Sequence, residues 1–187
     1  MIRLLAITDA RYAPDVMLGA ATVMARALGP AFAVQLRGFG GADEDFAVRL
    51  RETTAAHGSA LFVNRDRELG LRVGADGLHG APHQLTTEFC LRSTPIHGDR
   101  ELPAARSRGA THLLVSPIFD TPGKGPARGV EALAAALRTG AAVLALGGVD
   151  AGSASLAFAA GAHGVAAIRA AWEQPEALSA ACSLHAL

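Results

Sequence analysis

The chain has 187 residues, half of them apolar and 18% charged, and its seventeen basic and seventeen acidic side chains cancel to a net charge of zero. That length and composition suit one well-buried domain over residues 1–187 and exclude an intrinsically disordered chain. No basic stripe or charge block stands out, so neither nucleic acid nor an anionic membrane surface is an expected partner, and a small ligand suits the chain better.

The first segment, MIRLLAITDAR, has a short apolar run that meets Asp9 at once. It reads as a strand over 4–9, because a secretory leader needs a longer apolar region and a cleavage site. Helical spacing follows in VMLGAATVMARAL (16–28), then a strand in FAVQLRG (32–38), a helix in FAVRLRETTAA (46–56) and a strand in ALFVNR (60–65). Two further short strands are expected in DGLHG (76–80) and EFCLRS (88–93), with weak helical signal after the third, fourth and fifth strands. THLLVSPI (111–118), AVLALGG (142–148) and GVAAIRA (164–170) complete the strands. VEALAAALR (130–138), SASLAFAA (153–160) and PEALSAACSL (175–184) complete the helices. Gly29, Gly58, Gly109, Gly140 and Gly161 each follow a helical run, where a left-handed cap favours glycine.

Eight strand-plus-helix units, with strands that read as continuous apolar runs, fit a closed (β/α)8 TIM barrel whose helices are partly trimmed. The rival is an open doubly wound sheet, but its glycine-rich first turn is missing from ITDARYAP. No apolar stretch free of Gly, Pro and charge reaches the roughly 20 residues of a membrane span. Cys90 and Cys182 stand far apart without zinc spacing, so both are expected as buried, reduced thiols in a cytoplasmic protein.

A barrel of this kind carries its chemistry at the carboxyl ends of the strands. Polar residues collect there: Asp9 after strand one, Gln35 and Arg37 on one face of strand two, Asn64 and Arg65 ending strand three, His79 on strand four. Strand five offers Arg92, Ser93 and then His97; strand six runs into a loop with Ser116, Thr121 and Lys124; strand eight bears Arg169. Asp9 suits a turn cap equally well, and Arg65 could pair at the rim with Asp66 or Glu68. His79 and His83 are spaced H-x3-H, but Gly80 and Pro82 break the helix that would align them, so no metal site is expected. His57, His112, His163 and His185 read as structural. Gly147 and Gly148, after strand seven and before a helix, are the usual barrel position for phosphate, where backbone N–H groups meet an anion.

LLAITD, VQLRG, LFVNR, VGADGLHG, SPIFDTPGK, LALGGV and GAHGVAAIRA resemble, in order and at collinear spacing, the segments of the thiamine-phosphate synthase and thiazole tautomerase (TenI-like) superfamily. The resemblance covers nearly the whole chain and implies the same short barrel. It also implies a synthase that joins a pyrimidine pyrophosphate to a thiazole phosphate with Mg2+, or a tautomerase that moves a proton on a thiazole carboxylate phosphate. Gln35 and Arg37 match the family's Gln-x-Arg, although Gly38-Phe39 stand where Glu-Lys normally follows. Asn64 matches an asparagine, whereas Arg65 replaces the first Mg2+-binding aspartate and Gln84 stands in place of the second. Thr121, Lys124, Gly147 and Gly148 match phosphate-contacting positions, and Arg169 replaces a phosphate-binding serine. His97 falls on the position of the tautomerase acid/base, where the synthase branch often has a histidine too.

These matches imply a divergent thiamine-biosynthesis barrel that binds a thiazole phosphate and runs metal-independent proton transfer through His97. Arg37 would grip a second anionic group, and no cofactor is expected. A thiamine-phosphate synthase with rebuilt Mg2+ ligands, Asp66 among them, is one alternative; a non-catalytic or regulatory protein that binds thiazole phosphate or thiamine phosphate is another. A homo-oligomer is compatible with either.

Overall fold

The computed structural model describes residues 1–38, 44–121, 123 and 125–184. Eight parallel strands close into a barrel in sequence order: β1 (Leu4–Ile7), β2 (Phe32–Leu36), β3 (Ala60–Asn64), β4 (Gly77–His79), β5 (Leu91–Ile96), β6 (His112–Val115), β7 (Ala142–Leu146) and β8 (Gly164–Ala167), with β8 pairing back onto β1. Around them run α1 (Pro14–Leu28), α2 (Glu44–Ala55), α3 (Arg67–Arg72), α4 (Leu102–Ser107), α5 (Leu133–Leu137), α6 (Ala151–Ala159), α7 (Arg169–Glu173) and α8 (Pro175–Ser183). The expected TIM barrel is the observed one. All five expected cap glycines hold positive φ, between 52 and 90°.

Strand alternation divides the apolar residues into two layers. Leu5, Ile7, Ala33, Phe62, Leu114, Leu144 and Ala166 fill the barrel interior. Leu4, Ala6, Val34, Val63, Leu113 and Val143 face outward and pack under Met17, Met24, Leu50 and Leu178 of the helices. Gly77 shows why the interior dictates sequence: a Cβ there would lie 2.3 Å from the Phe62 ring, so only glycine lets that ring fill the barrel. The seam between β1 and β8 is also tied by Trp172, whose Nε1–H donates to the Ile7 carbonyl at 2.9 Å.

Three expectations need correction. Strand five begins at Leu91 and runs to Ile96, three residues later than EFCLRS suggests. Phe89 is buried, but it packs beside Gly70 of α3, where a Cβ would meet its Cζ at 2.9 Å, so the apolar run begins in the helical layer. Second, β8 stops at Ala167, and Arg169 is the first residue of α7. Third, Cys182 is buried, with burial pushing its thiol up to about 12, whereas Cys90 is exposed. The unit after β4 carries a single 3-10 turn, Pro82–Gln84, in place of an α-helix.

His112 and His163 are structural, as expected. His112 lies 7% exposed at the amino end of β6, its ring edge-on to Phe62 with centroids 5.8 Å apart and Nδ1 2.9 Å from Thr111 Oγ1. His163 Nδ1 accepts the Val143 N–H at 3.1 Å. Burial pushes His112 down to about 4. An unfolded histidine titrates near 6.5, so between these values the unfolded chain binds more protons. This contribution to stability is fully present above pH 6.5 and is lost as the pH falls toward 4. It amounts to about 2 kcal/mol once residual screening is allowed for. Melting temperature should therefore fall between pH 7 and pH 5, and less so in His112→Leu; an equal fall in that variant would place the acid sensitivity elsewhere. His185 lies outside the described residues.

Candidate functional site

On the β1–β2 side, Thr8 fixes the backbone of Arg37: its Oγ1 accepts the Arg37 N–H at 2.7 Å and donates to the Arg37 carbonyl at 2.8 Å. Asp9 caps its own turn. Its Oδ1 accepts the Arg11 backbone N–H and Nε–H, both at 3.0 Å, and its Oδ2 accepts Arg11 Nη2 at 2.8 Å. The Arg11 hydrogen bond holds the Asp9 carboxyl below its usual range, with Arg37 adding a smaller charge effect. Gln35 is 1% exposed inside the barrel, and its Oε1 has no hydrogen-bond partner among the described residues.

Asn64 ends β3 opposite His79 of β4. The next residue, Arg65, is the one non-glycine with positive φ among the described residues, at 64°, and its N–H donates to the His79 carbonyl at 2.8 Å. His79 Nδ1 lies 2.9 Å from Ser93 Oγ. Burial first, and then the charges of Arg65 and Arg37, push the imidazole down to about 4, so it is neutral at pH 7. Among the described residues no ion pair joins Arg65 to Asp66 or Glu68. Asp66 instead caps α3, its Oδ1 accepting the Leu69 N–H at 2.9 Å. Asp66→Ala should cost about 1 kcal/mol through loss of this cap, read from the urea midpoint; a loss of several kcal/mol would mean that the side chain does more. Gln84 turns onto its own loop, with Oε1 accepting the Ala81 N–H at 2.8 Å.

His97 lies just past β5 and is exposed. Its Nδ1 is 3.3 Å from Ser116 Oγ and 3.4 Å from the Ser116 carbonyl, and its backbone N–H donates to Glu101 Oε2 at 2.7 Å. Ser116, 8% exposed, thus orients the ring from the end of the neighbouring strand. Arg128 returns to the same place from the loop after β6, with Nη1 3.4 Å from the Ile96 carbonyl and Nη2 3.5 Å from Asp99 Oδ1. Arg92, by contrast, ties the Phe89 and Gly109 carbonyls at 2.7 and 2.8 Å and takes no part in the mouth.

The loop after β6 folds over the end of β7, where the Ile118 N–H donates to the Leu146 carbonyl at 2.9 Å and the Phe119 N–H to the Gly147 carbonyl at 3.0 Å. Gly147 and Gly148 hold φ of 97 and 64° beneath it. A cavity of about 250 Å³ opens between them and the start of α7, bordered by Thr121, Arg11 and Arg169. Two consecutive glycines in this turn carry backbone N–H groups with no side chain over them, which suits an anion. Three carboxylates also border the cavity, two of them already occupied: Asp150 caps α6 through the Ser153 N–H at 2.8 Å, and Glu173 accepts the Tyr12 hydroxyl at 2.6 Å. The third is Asp120. Lys124 lies outside the described residues. A larger cavity, about 730 Å³, sits outside the barrel between α4 and α5.

The mouth therefore brings together Gln35, Arg37, Asn64, Arg65 and His79 on one side, His97 and Ser116 on the second, and Thr121, Gly147, Gly148 and Arg169 on the third. Residues 4–171 match the family model described as thiamine monophosphate synthase. This chain belongs to that family. A thiamine-phosphate synthase of Geobacillus kaustophilus is 32% identical over 157 residues, which cover 77% of this chain and 71% of the relative. The thiamine biosynthesis bifunctional protein ThiM/ThiE of Symbiobacterium thermophilum is 33% identical over 147 residues, 72% of this chain but 31% of that longer protein. The thiamine phosphate pyrophosphorylase of Pyrococcus furiosus superposes with a TM-score of 0.82 at 21% identity, covering 100% of this chain and 98% of that one, and shares the fold.

Within the thiamine monophosphate synthase family, the resemblance places two carboxylates around Mg2+. Here Arg65 and Gln84 stand at those positions, Asp66 is committed to its cap, and Gln84 to its own loop. Among the described residues, no group of three or more His, Cys, Asp and Glu side chains converges to hold a metal. Mg2+ prefers hard anionic oxygens, and a guanidinium beside a neutral amide does not fit it. No described helix is long and apolar enough to cross a membrane.

Proposed function

We propose that this barrel binds a phosphorylated thiazole and catalyses a metal-independent proton transfer on it, of the thiazole tautomerase kind. The observation that carries this reading is the contrast between the two halves of the mouth. The paired positive-φ glycines that suit a phosphate are present, while the positions for metal carboxylates hold Arg65 and a folded-back Gln84. The phosphate would sit against Gly147, Gly148 and Arg169, with Thr121 and Lys124 covering it. Arg37 would face a second anionic group, with Gln35, Asn64, Arg65 and His79 around the ring. His97 is an exposed imidazole whose Nδ1 is held by Ser116, which leaves Nε2 free to take and return a proton.

The test is to mix the protein with the non-aromatic tautomer of thiazole carboxylate phosphate and follow aromatisation by absorbance, with and without EDTA. Acceleration that EDTA leaves unchanged is expected; no acceleration rejects the assignment. The names of the relatives favour a second reading, a thiamine-phosphate synthase with rebuilt ligands. Mg2+-dependent formation of thiamine phosphate from the pyrimidine pyrophosphate and thiazole phosphate would establish that activity instead. Tight binding of thiazole phosphate or thiamine phosphate with no turnover would leave a binding or regulatory protein.

A further inference from the structure

We propose that the open cleft between α4 and α5 is a binding site for a small amphipathic anion, an acidic group on an apolar body, and that its occupancy is felt at His97. The binding goes beyond the function proposed above; only the choice of His97 as its target rests on that reading.

The cleft follows from helix length. α4 has six residues and α5 five, whereas α1 has fifteen. At 1.5 Å per residue neither short helix exceeds about 9 Å, so the layer over β6 is incomplete. The cavity of about 730 Å³ continues into a smaller one of about 340 Å³: Leu102, Arg106 and Thr139 border both, and Leu113 of β6 lines the second. Small-molecule sites occupy roughly 300–1,000 Å³, and the apolar wall of Leu102, Pro103 and Ala135 suits the flat body of such a ligand.

The polar part of the wall selects the charge. Ser107 Oγ donates to the Ala104 carbonyl at 3.1 Å and Thr139 Oγ1 to the Ala136 carbonyl at 2.7 Å, so both hydroxyl hydrogens are spent locally. Unspent donors remain on the guanidiniums. Arg138 gives Nη1 to the Ala134 carbonyl at 3.1 Å, and the Arg106 guanidinium has neither hydrogen bond nor ion pair among the described residues. Asp99 is the one carboxylate among the described residues bordering the cavity, and it faces Arg128 at 3.5 Å. Two cations beside an apolar wall match an anion with an apolar body. They also oppose a second copy of the chain, since a twofold contact over the cleft would bring these arginines onto themselves.

The turn that leads into α4 joins the cleft to the mouth. Asp99 and Leu102 border the cavity, and between them Glu101 Oε2 accepts the His97 backbone N–H at 2.7 Å. Arg128 adds a tie from Asp99 to the Ile96 carbonyl, one residue before His97. A ligand seated against Leu102 and drawn to Arg106 therefore bears on the same turn that holds the proposed acid/base.

Fluorescence titration with anilinonaphthalene sulfonate, an aromatic anion, tests the site on the full chain. Wild type should bind it at a single site with a dissociation constant of about 0.1 mM or tighter. Ala135→Trp, which fills the cleft, should weaken the probe roughly tenfold or more. Arg106→Glu and Arg138→Glu together should do the same; both residues are exposed, so this variant reverses the charge without disturbing the core. Arg169→Ala, at the mouth, should stay within about threefold of wild type. The His97 ring-proton signal, assigned by its absence in His97→Ala, should shift as the probe saturates wild type. Absence of single-site binding, undiminished affinity in either cleft variant, or loss of binding in Arg169→Ala would each overturn the site. A His97 signal that stays in place while the probe binds would overturn the link to the mouth. A dimer in sedimentation that Ala135→Trp dissociates would give the cleft to a second copy and overturn the proposal as well. Probe binding with a His97 shift but no tautomerisation would reject the proposed function and leave this site standing; tautomerisation without probe binding would do the reverse.

Discussion

Gly148→Ala is expected to lower stability by about 3 kcal/mol and to abolish phosphate binding beside it. The cost has two sources. With φ at 64°, any L side chain is strained, by about 1 kcal/mol. A Cβ would also fall 2.5 Å from the Asp120 carbonyl oxygen and 2.7 Å from Phe119 Cβ, so the loop after β6 must lift off β7. Lifting it breaks the Phe119 N–H to Gly147 carbonyl bond and carries Thr121 away from the cavity. Gly74 separates the two effects: it has the same φ of 64°, but open space where a Cβ would stand. Gly74→Ala should thus show the backbone strain alone. Urea unfolding and phosphate titration of the two variants read out the comparison; equal losses would mean that the close approach contributes nothing.

His97→Ala should reduce kcat for aromatisation by a factor of about 100 to 10,000, the usual weight of one general acid/base, with KM within a few-fold of wild type. Stability should change little, because the ring is exposed. Ser116→Ala should give a smaller loss of kcat, since Ser116 Oγ at 3.3 Å from Nδ1 sets the ring's orientation. His97→Ala turning over at the wild-type rate would remove His97 from the mechanism. A rise in KM with kcat unchanged would make it a binding residue instead.

The architecture was legible because its punctuation is local. A left-handed glycine closes each of five helical runs, and the apolar stretches after them are too continuous for a one-sided sheet. Strand five was misplaced because an apolar residue does not declare which layer it fills, and Phe89 belongs beside α3. Much of the candidate mouth was legible too, since strand ends are fixed once strands are placed. What escaped were pairings made across the fold. Tyr12 with Glu173 and Arg128 with Asp99 join residues 161 and 29 positions apart, and no spacing signals them. The commitments of Asp66 and Gln84 are different: both are local, three residues long, and a capping pattern at Asp66 was there to be read.

The wall around β4 is the thinnest in the barrel. The strand has three residues, the segment after it is a 3-10 turn, and the neighbouring α3 and α4 have six residues each. Local opening requires little buried surface to be exposed there, so amide hydrogens of β4 should exchange with solvent sooner than those of β1 and β2, which lie under α1 and α2. Arg65 and Gln84 flank that same strand. The arc of the rim that carries Arg65 and Gln84 is thus the arc whose rearrangement disturbs the core least.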